Sequence, residues 1–289
     1  MTICRSVAAF AAAAVLAGGA HLRAPAVHAQ MPATGRVLTI TAKNYAFDVP
    51  DSVAAGRTEI RLVNQGPELH HAFLIKLEDG KTPADFAQAM QAGGAFPSWA
   101  RDVGGPNTPA PGKTSIAVLD LKPGTYLLTC VIPSPDGKPH MMKGMARTLT
   151  VTAPAIAQPA RAVAEEASTV GAADVTMKLV DYGFDLSKPL AAGKHVIRVQ
   201  NVAEQSHEVV LARLAPGKTP QDLLNWIFKP EGPPPGEPMG GTAAMAKGEW
   251  NDIVVDLSPG EYAMFCFVPD AKDGKEHVAH GMIRQFSVK

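Results

Sequence analysis

The sequence predicts an all-β fold of two Greek-key β-sandwich domains in tandem, each with one short helical insertion. Three observations support this prediction. Apolar and polar residues alternate with a period of two in several short segments. The 289 residues include 26 Gly and 25 Pro, which favours many turns between short strands. The chain also repeats itself at an offset of 136 to 137 residues.

The repeat divides the chain into a first copy, residues 30–152, and a second copy, residues 174–289. Between them lies an Ala/Pro-rich segment, residues 153–173, that we interpret as a linker. Each copy has about 115 repeated residues, the usual size of one β-sandwich. The matched segments are Asn44–Asp48 with Asp181–Asp185, Ala54–Gly56 with Ala191–Gly193, Gly80–Pro83 with Gly217–Pro220, and Pro123–Tyr126 with Pro259–Tyr262.

Within each copy, alternating or continuous apolar segments predict strands in the same order. The predicted strands are 38–42, 60–62, 116–119, 126–130 and 149–151 in the first copy, and 175–179, 197–199, 253–255, 262–266 and 286–288 in the second. One helix is predicted to begin after Thr82 and one after Thr219. In both places a hydroxyl at the N-cap is followed by Pro and then by an acid at the third helical position. The pairs Gly104-Gly105 and Gly240-Gly241 also recur and predict a shared turn.

Residues 1–29 have the pattern of a secretory signal peptide. Arg5 is followed by an apolar run over residues 7–20, and residues 27–29 offer small side chains at the cleavage positions. A run of this length is too short to span a bilayer. We therefore expect signal cleavage before Gln30, a periplasmic or secreted location, and no membrane span in the mature chain.

The charge balance limits the classes of partner. The chain has 27 Lys and Arg residues against 27 Asp and Glu residues, so its formal net charge is zero. This excludes a polybasic nucleic-acid-binding protein and a strongly acidic solvating protein. The charge leaves a redox or binding role open.

Each copy carries the same set of potential metal ligands. A Cys directly follows a predicted strand, a later His precedes a Gly-Met pair by a fixed spacing, and another His lies upstream. The sets are His70, Cys130, His140 and Met145, and His207, Cys266, His277 and Met282. A thiolate, two imidazoles and a weak thioether describe a blue-copper electron-transfer site. Zinc fits less well because Met is not among its usual ligands.

The third cysteine of the chain, Cys4, belongs to the predicted signal, so Cys130 and Cys266 form a matched pair. Copper ligation is one interpretation of this pair. Two others stay open, namely buried inert thiols and a single interdomain disulfide, which would require the two Cα atoms to lie within about 7 Å.

Both copies resemble cupredoxins. The likeness rests on the approach from an Asn to the upstream His, the Pro-Gly-x-Tyr turn before the Cys strand, and the His-x4-Met ending. The long spacing from Cys130 to His140 is similar to the type 1 copper site of copper nitrite reductases. Members of that family have another His directly before the Cys to hold a catalytic copper, whereas this chain has Thr129 and Phe265. The His-x-His pairs of multicopper oxidases are also missing, so we predict that the chain is not an enzyme.

The resemblance implies an exported protein with one type 1-like copper in each cupredoxin-like domain, and a role in electron transfer. Its partner would be a periplasmic redox protein or a copper donor or acceptor. Three alternatives stay open: a metal-free module that binds a ligand or protein, copper storage or handling without electron transfer, and a copper enzyme with histidines from a domain or subunit interface.

Overall fold

The computed structural model describes residues 35–91, 96–153, 166–229 and 231–289. The predicted signal peptide and residues 154–165 of the predicted linker lie outside these ranges. All described residues belong to one compact unit, Ala33–Lys289. No helix within the described ranges is both long and apolar enough to cross a membrane.

The described residues confirm the prediction of an all-β fold. The strands are β1 Arg36–Lys43, β2 Ala46–Asp48, β3 Ser52–Ala54, β4 Gly56–Asn64, β5 Phe73–Leu77, β6 Ala100–Gly104, β7 Thr114–Leu121, β8 Gly124–Thr129, β9 Ala146–Thr152, β10 Val175–Val180, β11 Gly183–Leu186, β12 Gly193–Asn201, β13 His207–Leu214, β14 Gly236–Met245, β15 Trp250–Leu257, β16 Gly260–Phe265 and β17 Ile283–Val288. The helices are α1 Pro83–Gln91 and α2 Pro220–Phe228, and the 3-10 turns are His140–Lys143 and His277–His280.

Both helices begin where the sequence predicts. The Thr219 hydroxyl accepts a hydrogen bond from the backbone N–H of Asp222, and the Asp222 carboxylate accepts one from the backbone N–H of Thr219. Thr82 and Asp85 form the same pair of bonds at the start of α1. These reciprocal bonds satisfy N–H groups that a helix N-terminus otherwise leaves without partners.

The strands form two sheets, and each sheet contains strands of both copies. The strand orders are β11-β10-β12-β15-β7-β4-β1-β2 and β17-β16-β13-β14-β6-β5-β8-β9-β3. The copies join where β7 pairs antiparallel with β15 and where β6 pairs antiparallel with β14. Because both sheets continue from one copy into the other, the division of the chain into two tandem domains stays a prediction.

The repeated glycine pairs lie at the second of these joins. Gly240 and Gly241 are inside β14, Gly104 ends β6 and Gly105 directly follows it, so the pairs lie in or at the end of paired strands and not in the predicted turn. Across the join, Asn107 N–H donates to the Gly241 carbonyl, and Ala243 N–H donates to the Gly105 carbonyl. Residues without side chains allow the backbones of the two copies to approach closely here.

One hydrophobic cluster contains buried residues from both sheets and from both copies. It includes Ile40 and Leu62 of the eight-stranded sheet and Leu128 of the nine-stranded sheet, all of them fully buried. The sulfur-containing residues of both predicted ligand sets, Cys130, Met145, Cys266 and Met282, also belong to this cluster. The candidate ligands are therefore anchored in the core of the fold.

Asp102 in β6 is a buried carboxyl group at the join between the copies, and its Oδ1 has no hydrogen-bond partner among the described residues. Burial raises the pKa of Asp102 to about 6. Between about pH 4 and pH 6, the folded protein therefore keeps a proton that the unfolded chain has already released. The free energy of unfolding consequently falls as the pH rises through this window.

We expect Asp102→Asn to remove this loss and to raise the free energy of unfolding at pH 7.5 by about 2 kcal/mol. The variant should differ little from the parent below about pH 3, where Asp102 is protonated in both states. Urea denaturation at both pH values tests this, with the exposed Asp48→Asn as the control. Equal destabilisation by Asp102→Asn at both pH values would contradict the prediction.

Candidate metal centres

Each candidate cysteine lies at the end of a core strand and is fixed by backbone hydrogen bonds on both sides. Cys130 follows β8; its N–H donates to the Met145 carbonyl at 3.2 Å, and its carbonyl accepts from Met141 N–H at 2.7 Å. Cys266 follows β16 and makes the matching bonds with Met282 and Val278 at 3.3 and 3.0 Å. Both cysteines are free thiols and fully buried, so no disulfide joins them.

The residues between the Cys and the second His fold as a small hairpin in each copy. Pro133 bridges to Pro139 in the first copy, and Pro269 bridges to Glu276 in the second. This hairpin brings the second His back to the Cys, because His140 N–H then donates to the Ile132 carbonyl at 2.9 Å. The long spacing that we noted in the sequence therefore does not separate the two ligands.

A glycine ends each 3-10 turn just before the Met. Gly144 and Gly281 have φ values of 100° and 90°, a backbone conformation that glycine adopts without strain. The turn reverses the chain so that Met145 N–H donates to the His140 carbonyl at 3.0 Å. The glycine of each Gly-Met pair therefore allows the turn that places the Met next to the ligand His.

The structure brings the predicted His and Cys ligands together in both copies. The ligand atoms of His70, Cys130 and His140 lie within 4.8 Å of one another, and so do those of His207, Cys266 and His277. In the first copy, the Nδ1 atoms of the two histidines are 3.1 Å apart, and Cys130 Sγ is 3.5 Å from His140 Nδ1. In the second copy, Cys266 Sγ is 3.4 Å from His277 Nδ1 and 3.8 Å from His207 Nδ1.

These distances fit a single metal ion bound by all three atoms. Donors on one metal, with metal–nitrogen bonds of about 2.0–2.1 Å and a metal–sulfur bond of about 2.3 Å, lie roughly 3 to 4 Å apart. Two imidazole nitrogens and a thiolate are the donor set of a blue-copper site. Met145 and Met282 are fully buried, and their assignment as axial ligands stays a prediction.

Hydrogen bonds on the far side of the imidazole rings orient three of the four histidines. Their Nε2 atoms contact oxygens that can only accept, so Nε2 carries the proton and Nδ1 presents its lone pair to the cluster. The contacts are His70 to Asn44 Oδ1 at 3.0 Å, His140 to Glu68 Oε2 at 3.0 Å, and His207 to Asp181 Oδ1 at 3.2 Å. His277 differs, because its buried Nε2 has no hydrogen-bond partner among the described residues and lies 3.7 Å from Asp270 Oδ2.

Burial prepares the protonation states that a metal ion needs. It lowers the pKa of His70 and of His277 to about 4, and it also lowers the pKa of His140 and His207, so the imidazoles are neutral at neutral pH. Burial raises the pKa of Cys130 to about 12 and that of Cys266 still further. A bound cation would therefore replace the thiol proton, and metal binding would release one proton at each site.

The residues that surround the ligands were not assigned from the sequence. Next to the upstream histidines, His71 Nε2 accepts from Val131 N–H and Glu208 Oε1 accepts from Phe267 N–H, both at 3.0 Å. The two acceptors occupy equivalent positions of the repeat, so different side chains hold the same backbone segment. Asn44 lies in a segment that recurs in the second copy, so the repeat could have pointed to it. No sequence pattern indicated that Glu68 or Asp270 faces a ligand.

No protein-family model and no curated protein matches the chain. Among solved structures, it is similar to the reduced auracyanin of Roseiflexus castenholzii, with 21% identity over 41% of this chain and 98% of that chain and a TM-score of 0.30. It is also similar to a multicopper oxidase, with 14% identity over 88% and 89% of the two chains and a TM-score of 0.27. A copper-containing nitrite reductase of Thermus scotoductus shows 14% identity over 88% and 61% of the two chains and a TM-score of 0.23.

The chain resembles the cupredoxins. This resemblance was predicted from the sequence, and the buried His and Cys groups of both copies fit a cupredoxin-like site. The ligand groups of this cupredoxin-like protein indicate copper as the metal.

The prediction that the protein is not an enzyme is wrong. The similar structures include the multicopper oxidase, the nitrite reductase and the laccase of Botrytis aclada, which are enzymes. The prediction relied on two absences: Thr129 and Phe265 stand where nitrite reductases have a His, and the His-x-His pairs of multicopper oxidases are missing. Missing motifs of two enzyme classes do not decide the matter, because one fold supports many activities through sites that differ between its members.

Proposed function

We propose that the protein is an exported copper-binding protein with one type 1-like copper site in each copy, and that it transfers electrons. The observation that carries this proposal is the presence of two buried groups of the same composition, each with two imidazole Nδ1 atoms and one Cys Sγ. A copper ion bound in such a group supplies reversible one-electron exchange between Cu(I) and Cu(II).

The residues of the chain hold the ligands in place while the charge on the metal changes. Cys130 and Cys266 would provide thiolates, the four histidines would provide imidazoles, and Met145 and Met282 would provide weak thioethers. Strand ends and backbone hydrogen bonds fix both cysteines, and acceptors on Nε2 fix three of the histidines. A ligand set that is held in one geometry needs little movement when the metal gains or loses an electron.

The proposal also includes the arrangement and the location of the protein. Residues 30–152 and 174–289 would be tandem cupredoxin-like domains that share their sheets, and residues 1–29 would direct export. The partner would be a periplasmic redox protein or a copper donor or acceptor. The hydrophobic run and small residues at the start of the sequence support export.

Copper titration of the metal-free mature chain tests the proposal. We expect uptake of two equivalents of Cu(II), with an intense visible charge-transfer band from the thiolate. Cys130→Ser and Cys266→Ser should each abolish the uptake and band of one site, because serine cannot supply a thiolate. Met142→Leu is the control, because Met142 is 71% exposed and lies outside both ligand groups.

Two results would contradict the proposal: a full band in either Cys variant, or two titratable thiols in a colourless protein that takes up no copper. The latter would favour a metal-free binding module. Uptake of copper without reversible one-electron reduction would instead favour storage or handling.

A further inference from the structure

The two candidate copper sites have the same ligands but different surroundings. Most of the surrounding positions correspond through the repeat, so each difference can be compared directly. The differing pairs, first copy before second, are Asn44 and Asp181, Glu68 and Gln205, His71 and Glu208, Ser134 and Asp270, and Lys143 and His280. Three of these changes introduce a carboxyl group in the second copy, and only one removes it.

In the first copy, one carboxylate contacts a ligand, and one ammonium group lies beside the site. Glu68 Oε2 is 3.0 Å from His140 Nε2. The Lys143 ammonium is 3.3 Å from the Tyr45 hydroxyl, 4.6 Å from the centroid of that ring and 3.0 Å from Asp136. The tyrosine ring in turn packs against the His140 imidazole, with 5.1 Å between ring centroids. A positive charge thus partly offsets the carboxylates here.

In the second copy, carboxylates face both ligand imidazoles. Asp181 Oδ1 is 3.2 Å from His207 Nε2, and Asp270 Oδ2 is 3.7 Å from His277 Nε2. Asp270 also accepts hydrogen bonds from the Tyr182 hydroxyl at 2.5 Å and the Gln205 amide at 2.9 Å. These bonds hold the Asp270 carboxylate beside the His277 imidazole.

The lysine beside the first site is also replaced by another residue in the second copy. His280 takes the place of Lys143, and its ring lies 5.1 Å from that of Tyr182. Its Nε2 is 3.2 Å from Asp273, which corresponds to Asp136 of the first copy. A permanent ammonium group is thus replaced by an imidazole, while the neighbouring carboxylate is kept.

The hydrogen bonds to the cysteine sulfur atoms are the same in both copies. Glu208 N–H donates to Cys266 Sγ at 3.4 Å, and the His71 backbone donates to Cys130 in the same way. Ligand types and sulfur hydrogen bonds are two of the features that set the reduction potential of a blue-copper site. Since they are matched, charge is the principal difference between the two sites.

We propose that the second site has the lower reduction potential, and that electrons pass from the second site to the first. Nearby negative charge stabilises the oxidised metal, because Cu(II) carries one more positive charge than Cu(I). This inference rests on the proposed function. One electron moves and no proton does: Cu(I) at the second site becomes Cu(II) as Cu(II) at the first becomes Cu(I). A one-electron donor protein then reduces the second site, and a one-electron acceptor protein oxidises the first.

Bonded contacts at the join between the copies provide a route for this transfer. Glu208, directly after the ligand His207, accepts a hydrogen bond at its Oε2 from Asn107 at 2.9 Å. The neighbouring Pro106 carbonyl accepts from Ala72 N–H at 3.0 Å, and Ala72 lies two residues after the ligand His70. An unbroken series of covalent and hydrogen bonds therefore connects one ligand of each site.

Spectroelectrochemical titration of single-site proteins tests the order of the potentials. Cys130→Ser leaves the second site, and Cys266→Ser leaves the first. We expect the midpoint potential of the Cys130→Ser protein to be lower by an amount that corresponds to at least a tenfold change in the redox equilibrium, about 59 mV for one electron. Equal potentials, or the reverse order, would overturn the inference while leaving the proposed function intact.

Exchange of the matched residues tests the cause. In the Cys130→Ser protein, Asp181→Asn and Asp270→Ser should each raise the potential of the second site. In the Cys266→Ser protein, Asn44→Asp should lower the potential of the first site. Asp181→Asn keeps an oxygen acceptor for His207, so it removes charge with little loss of structure. The exposed Asp51→Asn is the control and should change neither potential.

Absence of any shift in Asp181→Asn and Asn44→Asp would contradict the electrostatic cause. If neither single-site protein took up copper, the proposed function itself would fail.

Discussion

Gly241→Ala is expected to lower the free energy of unfolding by about 4 kcal/mol or more, in the range of the most damaging single substitutions. A Cβ atom at this position would lie 1.9 Å from the Val209 carbonyl oxygen, and the residue has a φ of 128°. The backbone of β13 or β14 would have to move, because neither side of the contact is a flexible side chain. Chemical denaturation of the metal-free protein measures the loss.

The same substitution should weaken copper binding at the second site. Val209 lies two residues after His207, so displacement of its backbone displaces this ligand. Gly105→Ala is the matched variant for the first site, because its Cβ would lie 2.1 Å from the carbonyl oxygen of Ala72, two residues after His70. Each variant should reduce copper affinity mainly in its own copy.

Gly248→Ala provides the control for backbone strain alone. Gly248 has a φ of 84°, but a Cβ there would meet no atom within 4 Å. We expect a loss of only about 1 kcal/mol from the unfavourable φ. If Gly241→Ala were no more destabilising than Gly248→Ala, close backbone approach would not be the reason for the glycine.

Asp252→Ala is expected to lower the free energy of unfolding by about 2 to 4 kcal/mol. The fully buried Asp252 carboxylate accepts two hydrogen bonds from Arg198, at 2.8 and 3.0 Å, and one from Arg57 of the other copy, at 2.9 Å. Its removal leaves two guanidinium groups without their partner, and breaking a buried pair costs about 3 to 5 kcal/mol. The arginine side chains are 23% and 34% exposed, so partial hydration reduces the loss.

Asp51→Ala gives the comparison for a surface ion pair. Asp51 lies 2.6 Å from Arg147, but its side chain is 89% exposed. Such pairs contribute about 0 to 1 kcal/mol. Urea denaturation of both variants measures the difference, and a loss of less than about 1 kcal/mol for Asp252→Ala would show that this carboxylate does not stabilise the contact between the copies.

Local features of the fold could be predicted because local sequence carries them. Alternating residues identified the core strands, and the Thr-Pro-x-Asp segments identified the starts of both helices. The positions of Cys130, His140 and Met145 also follow from local signals, namely a strand end, the His-x4-Met spacing and a Gly-Met pair. Two copies of this pattern at one offset made the ligand sets recognisable.

The contacts between the copies could not be predicted, because they depend on residues far apart in the chain. The pairing of β6 with β14 joins two strands that were not predicted from the sequence. Gly240 and Gly241 interrupt any alternation of apolar residues in β14. Arg57 and Asp252 are 195 residues apart, and neither has a local signal for the other. Only tertiary packing brings such groups together.

The sequence by itself determined an all-β chain with a duplicated set of two His, one Cys and one Met. The tertiary structure decided which charges surround each set. Glu68 comes from the upstream loop of the first copy, whereas Asp270 comes from the downstream hairpin of the second, although both face the same ligand position. Loops that are remote in sequence meet at the site only after the sheets have formed, and for this reason equal motifs have unequal electrostatic environments.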